Sequence, residues 1–523
     1  MKVENLIDAR ELEIDRPIKT DVVIVGSGAA GITLARRLSN KNLRVALVES
    51  GGFDMEGDTQ SLFSGKNLGL PYFNLLACRL RYFGGTTNHW SGYCRANDPI
   101  DYEGRSSLGL PKWPVSHKDL APYIAEAGNS LGVVAEHFDP FKLLDSKQLD
   151  TNVLLDDEVL QTKAFQLAKD IRLGKRYLDQ LKQQNNLTIY HHLNLCKVSV
   201  SETGDRVTSL ECKTLNGKTH SVHAKHYVLC CHAIENSRIL LTSNDVIPEG
   251  IGNAGDHVGR YFMDHIHIGA SKFIPSSSFP YIYDWVYAKQ HSLNVNLSFT
   301  DQFLRENGLL QYYCRFRPVF ASAKTVQSVR SVMFGFKEPG DVQFLKDLAS
   351  IIADPIASAK YVGAVRGIAH SHPVYYQLDH RIEQAPNPNS RVVLSDRKDA
   401  LGNPIADLNW QINDLDVKAF KVGQEMIMQK LSAMNHGRFE LESIDRELVE
   451  NRVGGHYHQI GTTRMSESIQ DGVVDSNCKV HGVDNLYIGG SSVFPTAGYS
   501  GPTMMIIAFA KRLGDHLAAR MEA

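Results

Sequence analysis

The sequence predicts an α/β fold with more than one domain, and three observations carry that prediction. The chain has 523 residues, too many for one compact core and enough for two or three domains of about 150 residues each. Near the N-terminus an apolar strand runs into a glycine-rich turn, then a helix and a second strand. Further on, residues 187–231 alternate apolar and polar, with turn signals at "GD" and "NGK", as paired β-strands do.

The N-terminal unit is "TDVVIVGSGAAGITLARRLSNKNLRVALVES" (20–50). Its strand ends at Gly26-Ser27-Gly28-Ala29-Ala30-Gly31, and each glycine has a task in binding a dinucleotide. Gly26 permits the tight turn, Gly28 lets backbone approach a pyrophosphate, and Gly31 lets the helix pack close to the strand. The helix N-terminus offers unpaired N–H groups and a partial positive charge to the phosphates. The second strand ends at Glu49, whose carboxylate can accept hydrogen bonds from ribose hydroxyls. This unit alone suits NAD and FAD equally.

"RYFGGTTNHWSGYCRAND" (81–98) is the next block. Gly84 and Gly85, with Thr86, Asn88, His89, Trp90 and Ser91, form a segment able to wrap a second face of a long cofactor. Residues 123–134 and 156–184 read as helices. "HYVLCCHAIENSRILLTS" (226–243) reads as a buried strand, a turn and a helix beginning near Glu235. "HYHQIGTTRM" (456–465) sets His456 and His458 beside a small, hydroxyl-rich turn. The strand-like "NLYIGG" (485–490) then leads through "FPTAGYSGPT" (494–503) into an apolar helix.

Other classes are disfavoured. A formal net charge of −2 gives no bulk attraction to nucleic acid or anionic membrane. The polar N-terminus lacks the apolar core of a secretory signal. No apolar run reaches the ~18–20 residues that span a bilayer; the nearest, 348–365, is broken by Asp354, Pro355 and Lys360 and reads as surface helix and loop. Eight cysteines without C-x-x-C spacing read as reduced, mostly buried thiols of a cytoplasmic protein. Asp264, His265 and His267 in "GRYFMDHIHI" complete no compact metal-ligand set, and no G-x-S-x-G elbow occurs. No metal site is expected.

Taken together and in this order, the blocks resemble the glucose–methanol–choline (GMC) flavoprotein oxidoreductases, most of all the pyranose oxidase and sugar dehydrogenase branch. The resemblance implies FAD as the cofactor. It implies a discontinuous FAD-binding domain from 1–100, 187–268 and 451–523, a connecting helical region at 101–186, and a substrate-binding cap at 269–450 built on an antiparallel sheet capped by helices. Residues 381–416 look like strands of that cap. Cys196, in "NLCKV", falls where the family meets the adenine, although an ordinary sheet cysteine reads as well. Gly490, Ser491, Pro502 and Thr503 fall in the flavin-supporting segment. His89 falls where pyranose oxidases can bond covalently to the flavin 8α-methyl.

By the same motif His458 falls at the family's catalytic histidine, the base that takes a hydroxyl proton while hydride passes to flavin N5. His456, on an extended segment, would face the other way as a packing residue. Where the family has a second catalytic Asn or His, this sequence has Gly501. The leading expectation is oxidation of a hydroxyl carbon of a sugar, polyol, glycoside or related alcohol, with oxygen, a quinone or another acceptor taking the electrons. A redox-neutral lyase or isomerase on the same scaffold, or a non-catalytic flavoprotein, stays open. The sequence leaves the substrate, the acceptor and the oligomeric state undetermined.

Overall fold

Six parallel strands form the first sheet, in the order Leu6–Asp8, Leu187–His191, Val45–Val48, Val22–Val25, His226–Leu229 and Leu486–Ile488. The computed structural model describes residues 5–13, 17–39, 41, 43–134, 138, 140–143, 155–169, 171–277, 279–283, 285–287, 292–320, 323–334, 342–365 and 373–522. "VVIV" and "VALV" are fully buried because helices cover both faces of a parallel sheet. Helix Ala29–Leu38 packs on the sheet and against the C-terminal helix Thr503–Glu522, so the two ends of the chain close one core. A four-stranded ribbon sheet, Ile18–Lys19, Thr219–His223, Val207–Lys213 and Asn194–Val200, stands beside it.

The second large sheet is antiparallel. Its path runs Gly437–Glu440, His265–Pro275, Tyr375–Glu383, Tyr312–Val319, Ser292–Phe299, Leu160–Leu167 and Tyr93–Cys94, with Trp285–Tyr287 pairing on Ser292–Phe299. One face carries the second core, including Tyr312, Cys314, Phe316, Leu378 and Ile382, against the long helix Asp414–Ala433. Gly423 of that helix is required by contact, since a Cβ there would lie 2.2 Å from the Tyr312 ring. The opposite face turns toward the first sheet. Residues Arg391–Lys398 and Pro404–Asn409 pair as a separate two-stranded ribbon.

Two readings of local structure change. Residues 156–184 are not helical throughout: Leu160–Leu167 is a strand, and only Leu173–Lys182 is helix. Pairing with Ser292–Phe299 along seven residues and burial on both faces outweigh the helix-compatible composition. The stretch read as connecting thus supplies a strand to the antiparallel sheet, and Tyr93–Cys94 adds another. Residues 348–365 form parts of two helices, Val342–Ala353 and Pro355–Val365, with Ile352 and Ile356 exposed. Among the described residues no helix is long and apolar enough to cross a membrane.

Candidate active site

Between the two sheets lies a cavity of about 740 Å³ that runs from the Gly26–Ala30 turn to the histidines at 456–458. At the first end, Gly26 has φ 98°, and a Cβ there would lie 2.5 Å from the Cys230 carbonyl oxygen. Gly31 allows no side chain either, since its Cβ would meet the Gly26 carbonyl oxygen at 1.8 Å. Gly28, by contrast, faces open space and caps Ala29–Leu38 without any side-chain cap bond, so the first-turn N–H groups are left for a ligand. Glu49 is fixed at the wall. Its Oε2 accepts from Ser27 N–H at 2.9 Å and Ser27 Oγ–H at 2.6 Å, and its Oε1 accepts from Gly51 N–H at 3.1 Å.

Gly85, Thr86, His89, Trp90, Ser91, Gly490, Ser491, Pro502 and Thr503 line the same cavity with Gly26, Gly28, Ala29, Ala30, Glu49 and His458. Four other sequence-picked residues stand behind the lining. Gly31 and Gly84 shape the backbone, Gly84 at φ 94°. Asn88 donates to the Phe83 carbonyl at 2.9 Å. Cys196 is buried, with Asn403 Nδ2 3.5 Å from its sulfur, and its neighbour Leu195 lines the cavity instead. His89 is exposed, with Nε2 3.1 Å from the Tyr82 hydroxyl.

The midsection carries buried cations the sequence reading passed over. Glu235 accepts from Arg81 Nη2 at 2.7 Å and Arg238 Nη2 at 2.6 Å. Arg79, 1% exposed, lines the cavity, and its Nε and Nη1 have no hydrogen-bond partner among the described residues. Burial pushes its pKa down. Unpartnered buried guanidinium nitrogens, an uncapped helix start and a ribose-ready carboxylate along one elongated cavity fit FAD.

At the far end, Asp264 organises the histidines. Its Oδ1 accepts the backbone N–H of His265 at 2.6 Å and of His456 and His458 at 3.0 Å each, while Tyr72 O–H donates to Oδ2 at 2.6 Å. Burial pushes this carboxyl up to about 6 against those four donors. Gly455 is required, because a Cβ would lie 2.3 Å from Asp264 Oδ2.

The protons on the imidazoles follow from their partners. His265 Nε2 lies 3.0 Å from the Ala497 carbonyl oxygen, which can only accept, so Nε2 carries the proton. Neutral His265 therefore offers Nδ1 as an acceptor to His458 Nδ1, 2.8 Å away. His458 Nδ1 then carries its proton, and His458 Nε2 is left as the bare base. Burial above all holds the His458 pKa well below the usual imidazole value. The base end looks toward Gly501, whose added Cβ would lie 3.5 Å from Nε2. Asp264, His265 and His458 converge closely enough to suggest a metal, but this hydrogen-bond chain accounts for their approach.

His456 does not face away as expected. Tyr457 has φ 63°, which breaks the extended alternation, and both histidines line the cavity with their rings 21° apart. His456 Nδ1 donates to the His265 carbonyl at 2.7 Å, leaving its Nε2 as an acceptor too. Tyr499 is held elsewhere, donating to Asp98 Oδ2 at 2.7 Å and accepting from Arg95 Nε at 2.8 Å. The antiparallel sheet adds Phe165, Asn294, Tyr313, Arg315 and Arg381 from its inward face. The polar alternation Gln377, Asp379, Arg381 between Tyr376, Leu378, His380 and Ile382 was the available signal for that face.

Two models of the GMC oxidoreductase family match residues 166–267 and 386–510, and an FAD binding domain model matches 21–65. The chain is 23% identical to the fructose dehydrogenase large subunit of Gluconobacter japonicus, over 95% of this chain and 97% of that protein. It is 22% identical to 2-methyl-1,2-propanediol dehydrogenase of Mycolicibacterium austroafricanum, over 96% of each. Among solved structures, pyridoxine 4-oxidase from Mesorbium loti superposes with a TM-score of 0.54 at 18% identity, over 95% of this chain and 98% of that one.

Proposed function

The chain belongs to the GMC oxidoreductases and is an FAD-dependent oxidoreductase, and from that premise we propose that it oxidises a hydroxyl carbon with His458 as the base. The observation that carries this reading is the fixed tautomer: Ala497, His265 and His458 form one directional chain that ends in a bare Nε2 at the cavity wall. An alcohol releases hydride readily only as its O–H gives up the proton, and a neutral imidazole held toward that oxygen can take it. Bound FAD would supply the hydride acceptor. The residues fitted to hold it are the 26–31 turn, Glu49 and Arg79, with the 490–491 and 502–503 backbone at the other end.

His458 Nε2 moves the proton, and His265 Nδ1 keeps the ring from turning. His456 Nε2 offers the hydroxyl a second polar contact. Sugars, polyols and related alcohols are the substrate class, in keeping with two relatives named for fructose and a propanediol. The test is anaerobic reduction. A panel of such alcohols mixed with the holoenzyme should bleach the flavin band, and His458→Ala should slow bleaching at least ~10²-fold, the ordinary contribution of a general base. Equal rates in the two proteins would refute the assignment.

A further inference from the structure

The strap that carries both imidazoles is bent at its middle residue. Tyr457 has φ 63°, a left-handed backbone that residues with a Cβ rarely adopt. The bend is what lets one oxygen hold both neighbours, since Asp264 Oδ1 accepts from the His456 and His458 N–H groups at 3.0 Å each. Two nitrogens so placed are at most about 6.0 Å apart, whereas extended backbone sets amides two residues apart at about 6.6–6.8 Å. The bend also leaves the two imidazole rings 5.9 Å apart, 21° from parallel and both in the cavity lining. A disfavoured backbone of this kind persists only where its surroundings hold it.

Asp264 grips the strap from within, and Phe73 grips it from outside. The Tyr457 ring, half exposed, lies nearly parallel on the Phe73 ring, with centroids 3.6 Å apart and planes 14° apart. Phe73 stands behind Tyr457 and not in the cavity lining. Its own place is fixed: Asn67 Nδ2 donates to the Tyr72 and Phe73 carbonyls at 2.9 and 3.1 Å, and the Leu68 and Leu70 N–H groups donate to the Leu408 and Trp410 carbonyls. Tyr72 packs edge-on against Phe262 and Trp410 while its hydroxyl donates to Asp264 Oδ2. Consecutive residues of one anchored loop thus reach the strap by two routes, Tyr72 through Asp264 and Phe73 through Tyr457. We infer that Phe73 is a positioning residue for the reaction: its ring, stacked on Tyr457, holds the bend that keeps His456 beside His458. This rests on the reading in which both imidazoles meet the substrate hydroxyl. His458 keeps its own hold on His265 when the stack is lost, so Phe73 acts through His456.

The test is a double-mutant cycle on the holoenzyme. Phe73→Ala, His456→Ala and the double variant are compared in anaerobic flavin reduction by fructose, sorbitol and 2-methyl-1,2-propanediol, using the fastest of the three. Each single change should lower the limiting rate about 2- to 12-fold, the effect of one neutral hydrogen bond. The double variant should be within about twofold of His456→Ala, because both changes remove the same contact. Phe73→Tyr should restore the rate, and Phe73→Leu, which keeps apolar bulk without a flat face, should not. Amide hydrogen exchange needs no substrate: in Phe73→Ala it should quicken at 456–458 and stay slow at Val22–Val25. Effects that multiply in the double variant, full rescue by leucine, or unchanged exchange at 456–458 would overturn the inference. If none of the three alcohols reduces the flavin, the exchange at 456–458 decides alone. A His458→Ala protein as fast as the native one, beside a loosened strap in Phe73→Ala, counts against the base and leaves the positioning role standing. A slow His458→Ala beside unaffected Phe73→Ala and His456→Ala does the reverse.

Discussion

Replacing His265 by Phe tests the tautomer argument directly. A planar aromatic ring is kept, slightly larger, while the acceptor for His458 Nδ1–H and the donor to the Ala497 carbonyl both vanish. Each buried group left without a partner costs about 1–3 kcal/mol, so His265→Phe, which orphans two, should lose roughly 2–6 kcal/mol of stability. The catalytic loss should be smaller than that of His458→Ala. A neutral hydrogen bond contributes about 0.5–1.5 kcal/mol net, so its removal weakens the preference for the reactive tautomer and ring orientation by about 2- to 12-fold. Misalignment of the base adds to this, giving a fall of about 10- to 100-fold in the rate of anaerobic flavin reduction, against ~10²–10⁴ for the base itself. The pH profile separates this from a general folding defect. In the native chain the His458 pKa is held low chiefly by burial, so reduction should stay flat through pH 6.5 and fall only well below it. Neutral His265 accepts from His458 Nδ1–H and so favours the protonated ring; without it the acid limb should move to lower pH. An unchanged rate and acid limb in folded, flavin-loaded His265→Phe would refute the hydrogen-bond chain as the source of the base.

Stability should fall as pH drops from about 6.5 toward 4. Burial pushes His226, His265 and His380 down to about 4 and His232 to about 3, so over that window the unfolded chain takes up protons that the folded chain refuses. Each such imidazole favours the folded chain above the window and loses that advantage through it, least for half-exposed His226. His456 and His458 act in the same direction, while Asp101, Asp264 and Asp416, raised by burial, partly offset them. Thermal unfolding of the holoprotein in this range should show a falling midpoint; a rising one would mean that the carboxyls dominate. Gly455→Ala should destabilise by about 1–3 kcal/mol, as overpacking does, because the new methyl meets Asp264 Oδ2 at 2.3 Å. It should slow flavin reduction while FAD content, read from the absorbance ratio, stays near one per chain. Loss of FAD instead would place the damage at the wrong end of the cavity.

What was legible in the sequence was local. The 26–31 turn and Glu49 could be read because strand, turn, helix and acid lie within thirty residues and each has a backbone task. His458 could be read from its motif. His456 was misplaced because period-2 alternation assumes extended backbone, and nothing in "HYH" announces that Tyr457 sits at φ 63°. Leu160–Leu167 reads as strand only when Ser292–Phe299, over a hundred residues away, is beside it. Arg315 and Arg381 are unremarkable singly. Their shared place in the cavity lining comes from cross-strand register, which a single sequence does not contain.

The bare turn at 498–503 acquires a purpose from this geometry. Gly501 is not demanded by its backbone, which has no left-handed φ, and an added Cβ would make ordinary contacts of 3.4–3.6 Å with the His458 ring and the Tyr93 carbonyl. Any longer side chain, however, would project over the edge of the imidazole that carries the free lone pair. Neither neighbour replaces the missing polar group: the Tyr499 hydroxyl is committed to Asp98 and Arg95, and Ser500 Oγ is buried against the Ala96 carbonyl at 3.5 Å. On the proposed reading the second polar contact comes instead from His456, two residues before the base, turned inward by the left-handed Tyr457. Two neutral imidazoles from one strap thus stand where a histidine and a side chain from the turn would otherwise share the hydroxyl. That exchange leaves the turn side of the pocket open and places both hydrogen-bonding groups on the side toward Arg381.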